Sequence, residues 1–144
     1  MNVLAIGAHP DDVEIACSGT LAKCVKRGDK VIVCHASTGN LGHVVIPPDE
    51  LTKIRAEEAK KAGGLAGIEV IGGMFDDLNI FDGNKAARDK LVDVIKYAQP
   101  DFIITHNPDD YMPDHTAVSR LVFDASFAAT LPNYKSRYEK AASL

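Results

Sequence analysis

The stretch Val3-Leu4-Ala5-Ile6-Gly7-Ala8-His9-Pro10-Asp11-Asp12-Val13-Glu14 decides the fold of this chain. Its first half is apolar without alternation, the pattern of a strand buried on both faces. Its second half crowds an imidazole and carboxylates into a turn, and from Val13 onward the spacing is helical. A loop carrying such groups at the end of a buried strand is where an open α/β sheet builds its sites.

Outward from that stretch, Asn2 to Gly7 reads as the first strand and Val13 to Arg27 as a helix, with Ile15, Ala16, Leu21, Ala22 and Val25 as its apolar positions. Gly28-Asp29 closes it, and Lys26 and Arg27 suit its negative C-terminal end. Lys30 to Ala36 is a second buried strand, followed by a long polar loop from Ser37 through Pro47-Pro48. The spacing predicts a helix over Asp49 to Leu65, marked by prolines and acids at its start and Gly63-Gly64 at its end. A third strand follows over Ile68 to Gly72 and a loop over Met74 to Gly83. Lys85 to Ala98 is a helix with Leu91, Val92, Val94 and Ile95 on its inner side, stopped by Pro100. Asp101 to Thr105 is the fourth strand, and His115 to Ala129 the last helix. Leu131 to Leu144 is polar and shows no further strand.

Strands alternating with helices indicate a Rossmann-like, doubly wound α/β fold: a mostly parallel sheet with helices on both faces and right-handed crossovers. At 144 residues the chain is expected to form a single domain, 1–144. A net charge of -4 gives no support to nucleic acid or an anionic membrane as partner. No apolar run approaches the roughly 20 residues that span a bilayer, and Met1-Asn2 leads straight into strand pattern, so no signal peptide is expected. The three cysteines, Cys17, Cys24 and Cys34, form no CxxC pair and read as buried free thiols, Cys17 and Cys24 facing the core. These features together give the cytoplasm as the expected location.

A second loop, Asn107-Pro108-Asp109-Asp110-Tyr111-Met112-Pro113-Asp114-His115, has the same character at the end of the fourth strand. Imidazole and carboxylate are the ligands of a borderline divalent metal such as zinc. His9 and Asp12, one helical turn apart, can converge on one spot, and His115 is the best third ligand if strands one and four are neighbours. Asp11, beside Asp12, can take the proton of an attacking water whose pKa a metal lowers. Helix capping by Asp11 or Asp12 is an equal alternative on spacing alone. Glu14 complements the helix dipole. His35 reads as a packing residue, His43 as a solvated one, His106 as a partner of a metal ligand, and Arg55 as an exposed residue paired with Glu58. No G-x-G-x-x-G follows the first strand, so a nucleotide-binding reading has no fingerprint.

His9-Pro10-Asp11-Asp12-x-Glu14 with Gly19-Thr20-Leu21 closely resembles the first motif of the LmbE-like, or PIG-L-type, N-acetylglucosaminyl deacetylases. Pro113-Asp114-His115 with Ala117-Val118 resembles their second, and Arg55-Ala56-Glu57-Glu58-Ala59 and Asp76-Asp77-Leu78 are further landmarks. The resemblance implies a hydrolase of non-peptide carbon–nitrogen amide bonds that removes acetyl from an N-acetylated amino sugar. It implies zinc, or another divalent metal such as Fe2+, on His9, Asp12 and His115, with Asp11 as the base. Arg55 and Asp77 fall where relatives contact the sugar, with Asp76 as the alternative to Asp77; Thr38 and Asn40 border the pocket. A small amino-sugar substrate and a homo-oligomer are the partners it implies. Two departures stand out. Many relatives carry a histidine where this chain has Met112, and a thioether donates no proton, which leaves the metal, Tyr111, His106 or no group in that role. The chain also ends before the segment where relatives place a closing strand. A metal- or sugar-binding module with little turnover is therefore the alternative expectation.

Overall fold

The computed structural model describes residues 1–143. The elements run β1 (Asn2–Gly7), α1 (Asp12–Arg27), β2 (Lys30–Ser37), α2 (Pro48–Ala66), β3 (Glu69–Phe75), α3 (Lys85–Ala98), β4 (Phe102–Thr105) and α4 (Pro113–Thr130). All strand pairs are parallel, in the order β3-β2-β1-β4. The order reverses at β1, which pairs with β2 on one side and β4 on the other, and that reversal makes a crevice at the strands' carboxyl ends.

The two-residue period of the strands sorts the core. Leu4, Ile6, Ile32 and Cys34 point to one face, where Leu91, Val92 and Ile95 of α3 and Val118, Leu121 and Val122 of α4 cover them. Val3, Ala5, Val31 and Val33 point to the other, against Val13, Leu21 and Cys24 of α1. On that second face α2 approaches β3 through Gly63, where a Cβ would lie 2.4 Å from the Val70 side chain.

Three local features differ from the sequence reading. The buried stripe of α1 is Val13, Leu21 and Cys24, with Cys17 half-buried, whereas Ile15 is 83% exposed and Ala16 and Ala22 face solvent. Both stripes are apolar, and only the direction in which Gly7 to Asp11 delivers the helix chooses between them. β3 continues to Phe75, because an irregularity between His35 and Ser37 lets Ser37 pair with Phe75. α4 begins at Pro113, whose missing N–H costs nothing in a first turn, so Asp114 and His115 both ride on helix. Among the described residues after α4 there is no strand; that segment lies along α3, with Ser136 donating to Asp93 and the buried Lys96 ammonium donating to the Tyr134 carbonyl.

Candidate metal centre

The β1–α1 turn is held by its own carboxylate. Asp12 Oδ2 accepts the His9 amide at 2.7 Å, so this side chain braces the loop from inside. Asp11 occupies the N-cap position of α1 but makes no side-chain cap. Its backbone sits at φ 124°, a strained region for any residue but glycine, and its carboxylate turns to the Arg55 guanidinium at 2.6 Å. Neither aspartate caps the helix. Arg55 also donates to the Pro10 carbonyl and pairs with Glu58 at 3.4 Å, so this one side chain ties α2 to the turn.

The α4 loop meets that turn across the β1/β4 boundary. His115 Nε2 lies 3.3 Å from Asp12 Oδ1, and His9 Nδ1 lies 3.4 Å from Asp12 Oδ2. One ligand atom from each of His9, Asp12 and His115 falls within a 4.8 Å cluster. His115 is only 8% exposed, and its ring nitrogens face the Asp12 and Asp110 carboxylates at ion-pair distance without an aligned hydrogen bond to either. A buried imidazole without an aligned hydrogen bond is costly, and a divalent cation between Nε2 and the Asp12 carboxylate would relieve that cost. The donor set of two imidazoles and one carboxylate therefore fits a metal such as zinc. Asp110, 3.2 Å from His115 Nδ1, stands where it can hold the ring's other nitrogen. His106, Asp110 and His115 form a second grouping of similar compactness, sharing His115.

Charge around the site is finely set. Asp12 and then Asp114, working against burial, push His9 up to about 9. Burial alone would raise the Asp12 carboxyl, but the donors around it, the His9 ring and amide among them, hold it well below the usual carboxylate range. His106 Nε2 accepts the Ala8 amide at 2.9 Å, which leaves it no proton to give Asp12 at 3.3 Å. The His106 ring stacks on His115 at 3.9 Å, and its carbonyl accepts from Ser119. It thus locks β4, the β1–α1 turn and α4 together.

Other expected positions separate. Asp77 accepts from the Ser37 hydroxyl and from the amides of Gly39 and Leu41, so its visible role is to shape the β2–α2 loop. Asn40 donates to Asp76 in the same wall. Glu14 pairs with buried His35 at 3.1 Å; burial raises the Glu14 carboxyl, but the His35 bond and charge together with backbone amides hold it below its ordinary value. His43 accepts two amides of its own loop. Met112 supplies the backbone N-cap of α4, and the Tyr111 ring stands edge-on to His115, 87% exposed. Asp114 is the residue that the sequence reading missed. It is 2% exposed, accepting His9 Nε2 at 3.0 Å and the Leu78 amide at 2.8 Å. Its signal was its place beside His115 in a first helical turn.

Fold and site define a class, a doubly wound α/β protein with a His–Asp–His constellation at its topological switch point. Within that class the chain belongs to the PIG-L family, GlcNAc-PI de-N-acetylase, whose model matches residues 4–126. It is 31% identical over 140 residues to 1D-myo-inositol 2-acetamido-2-deoxy-alpha-D-glucopyranoside deacetylase of Corynebacterium diphtheriae, covering 78% of this chain and 47% of that protein. It is 26% identical over 141 residues to 4-oxalmesaconate hydratase of Pseudomonas putida, covering 93% and 55%. The chain therefore spans about half the length of these relatives. Among solved structures, N,N'-diacetylchitobiose deacetylase of Pyrococcus horikoshii superposes with a TM-score of 0.84 at 27% identity over 92% of this chain and 51% of its own. The Pseudomonas putida hydratase GalB gives 0.83 at 27% over 100% and 63%. Among the described residues no helix is long and apolar enough to cross a membrane.

Proposed function

We infer that this chain carries the metal centre of a deacetylase that hydrolyses the N-acetyl amide of an N-acetylglucosaminyl-type substrate. One observation carries the reading: one ligand atom from each of His9, Asp12 and buried His115 converges at the sheet's switch point, with Asp11 next to Asp12 in the same turn. His9, Asp12 and His115 would hold zinc, or a similar divalent ion such as Fe2+, which when bound polarises the acetyl carbonyl and makes water more acidic. Asp11, half-exposed on its strained backbone, takes the proton of the attacking water. The new C–O bond forms as the carbonyl becomes tetrahedral; the C–N bond then breaks, acetate leaves, and the proton passes to the amine nitrogen. Arg55, held at the turn by Asp11 and Pro10, would meet sugar hydroxyls in this reading. Asp77 joins it through the loop wall it organises. With Met112 lacking a proton and His106 Nε2 engaged by Ala8, Tyr111 is the O–H donor left beside His115.

The test pairs metal analysis with acetate release from N-acetylglucosaminides. Asp12→Ala should lose bound zinc and turnover together; retention of both overturns the reading.

A second reading uses the same water on a different bond. Likeness to a hydratase over nearly the whole chain supports addition of water across an activated C=C, a reaction that releases no acetate and needs no departing amine. Met112 favours the family's binding-only alternative as well. Zinc uptake without acetate release, followed by a hydration assay on an unsaturated tricarboxylate, separates the three.

A further inference from the structure

Asp114 is nearly solvent-free, and its carboxylate hydrogen-bonds to residues far from it in the chain. Its Oδ2 reaches across the β1/β4 boundary to His9 Nε2 at 3.0 Å and accepts the Leu78 amide at 2.8 Å. A carboxylate buried at 2% exposure is retained only with such partners. Leu78 stands at φ 60°, a strained backbone for leucine, with its side chain mostly exposed. The turn Asp76–Asn79, closed by the Asn79 amide on the Asp76 carbonyl at 3.2 Å, places Leu78 in that conformation, and in it the Leu78 amide reaches Asp114. The residue before it, Asp77, in turn holds the amides of Gly39 and Leu41.

We propose that Asp114 is a positioning residue that presents Nδ1 of His9, rather than Nε2, to the metal, and that it ties this ligand to the wall of the cleft through Leu78. With Nε2–H donated to Asp114, the lone pair left on the ring is at Nδ1, the nitrogen facing Asp12. A carboxylate on the outer nitrogen of a metal-bound imidazole fixes its tautomer and raises its basicity. The same carboxylate oxygen anchors the backbone on which Asp77 shapes the β2–α2 loop, so the metal ligand and the loop that borders it share one support. This rests on the metal reading above, but not on which bond is hydrolysed or hydrated.

The experiment uses the full chain with 15N-labelled histidine, stripped by chelator and then titrated with zinc. In the zinc-loaded wild type, His9 should show a proton bonded to Nε2 and a metal-shifted Nδ1. A metal-shifted Nε2 overturns the proposal with no variant needed. Asp114→Asn, nearly equal in volume, should weaken zinc about 10- to 100-fold and speed hydrogen exchange at the Leu78 amide. A folded Asp114→Asn with wild-type zinc affinity overturns it as well. Should Asp114→Asn fail to fold, the wild-type tautomer decides alone. Neither readout needs turnover, so absence of acetate release would count against the deacetylase reading and leave this one standing.

Discussion

In the metal-free protein His9 lies between two carboxylates, Asp12 and Asp114, and its folded-state pKa is pushed from 6.5 to about 9. A histidine pKa raised on folding stabilises the folded state fully below 6.5, where both states hold the proton. The contribution is lost as pH rises through 9, where neither does. Between those limits the folded state binds one more proton than the unfolded chain, so stability falls by about 1.4 kcal/mol for each step of one in pH. Over the whole interval the loss reaches up to about 3 kcal/mol, less whatever solvent screening at the mouth of the site removes. The Asp12 and Glu14 carboxyls, both depressed, finish their changes below this window and contribute no slope within it. The assay is urea unfolding of chelator-treated protein at pH 6.5, 7.5, 8.5 and 9.5, compared with His9→Gln under the same conditions, so that lysine and tyrosine titration cancels. Wild type should lose stability more steeply than the variant across the series. Saturating zinc, which takes the place of a ligand proton, should flatten the wild-type slope. Equal slopes for wild type and His9→Gln would refute the account of His9 as a charged ring held by two carboxylates.

Three further outcomes are expected. Gly63→Ala should destabilise by about 1–3 kcal/mol in thermal or urea unfolding, because the new Cβ meets the Val70 side chain at 2.4 Å and the Ile68 carbonyl at 2.8 Å; Gly64→Ala, with nothing within 4 Å, should instead gain up to about 1 kcal/mol from helix propensity. Met112→His should raise kcat for acetate release by about 10-fold or more if a proton or oxyanion donor is what that wall lacks, with zinc affinity unchanged.

Hydrophobic periodicity is local, and what depends on it was legible. The four strands, the four helices and the inner side of α3 follow from which residues are apolar and how they recur. The glycines and prolines at the boundaries act through their own φ angles, so they too can be read without knowing the neighbours. Where the pattern was degenerate it misled: α1 carries two apolar stripes, and Ile15 ended on the exposed one. The proximity of the two charged loops was inferable from the α/β topology, and the β1–β4 pairing supports that inference.

Which partner each charged side chain takes was decided only by tertiary structure. Asp11 and Asp12 were equally good caps or ligands on spacing; the strained turn sends one to Arg55 on α2 and the other to the two histidines. Asp77 could have faced a substrate or a loop, and three donors, Ser37 at the end of β2 with Gly39 and Leu41 in the loop after it, now occupy it. Asp114 had no visible role beside His115 until β4 brought α4 to the end of β1, joining its carboxylate to a ring 105 positions earlier in the chain. Hydrogen bonds and ion pairs act over about 3 Å between groups that sequence distance does not relate. The sequence by itself therefore determined the elements, the parallel sheet and the chemical character of the two loops. The folded chain determined which partner each of their carboxylates takes, because only packing sets which groups come within bonding reach.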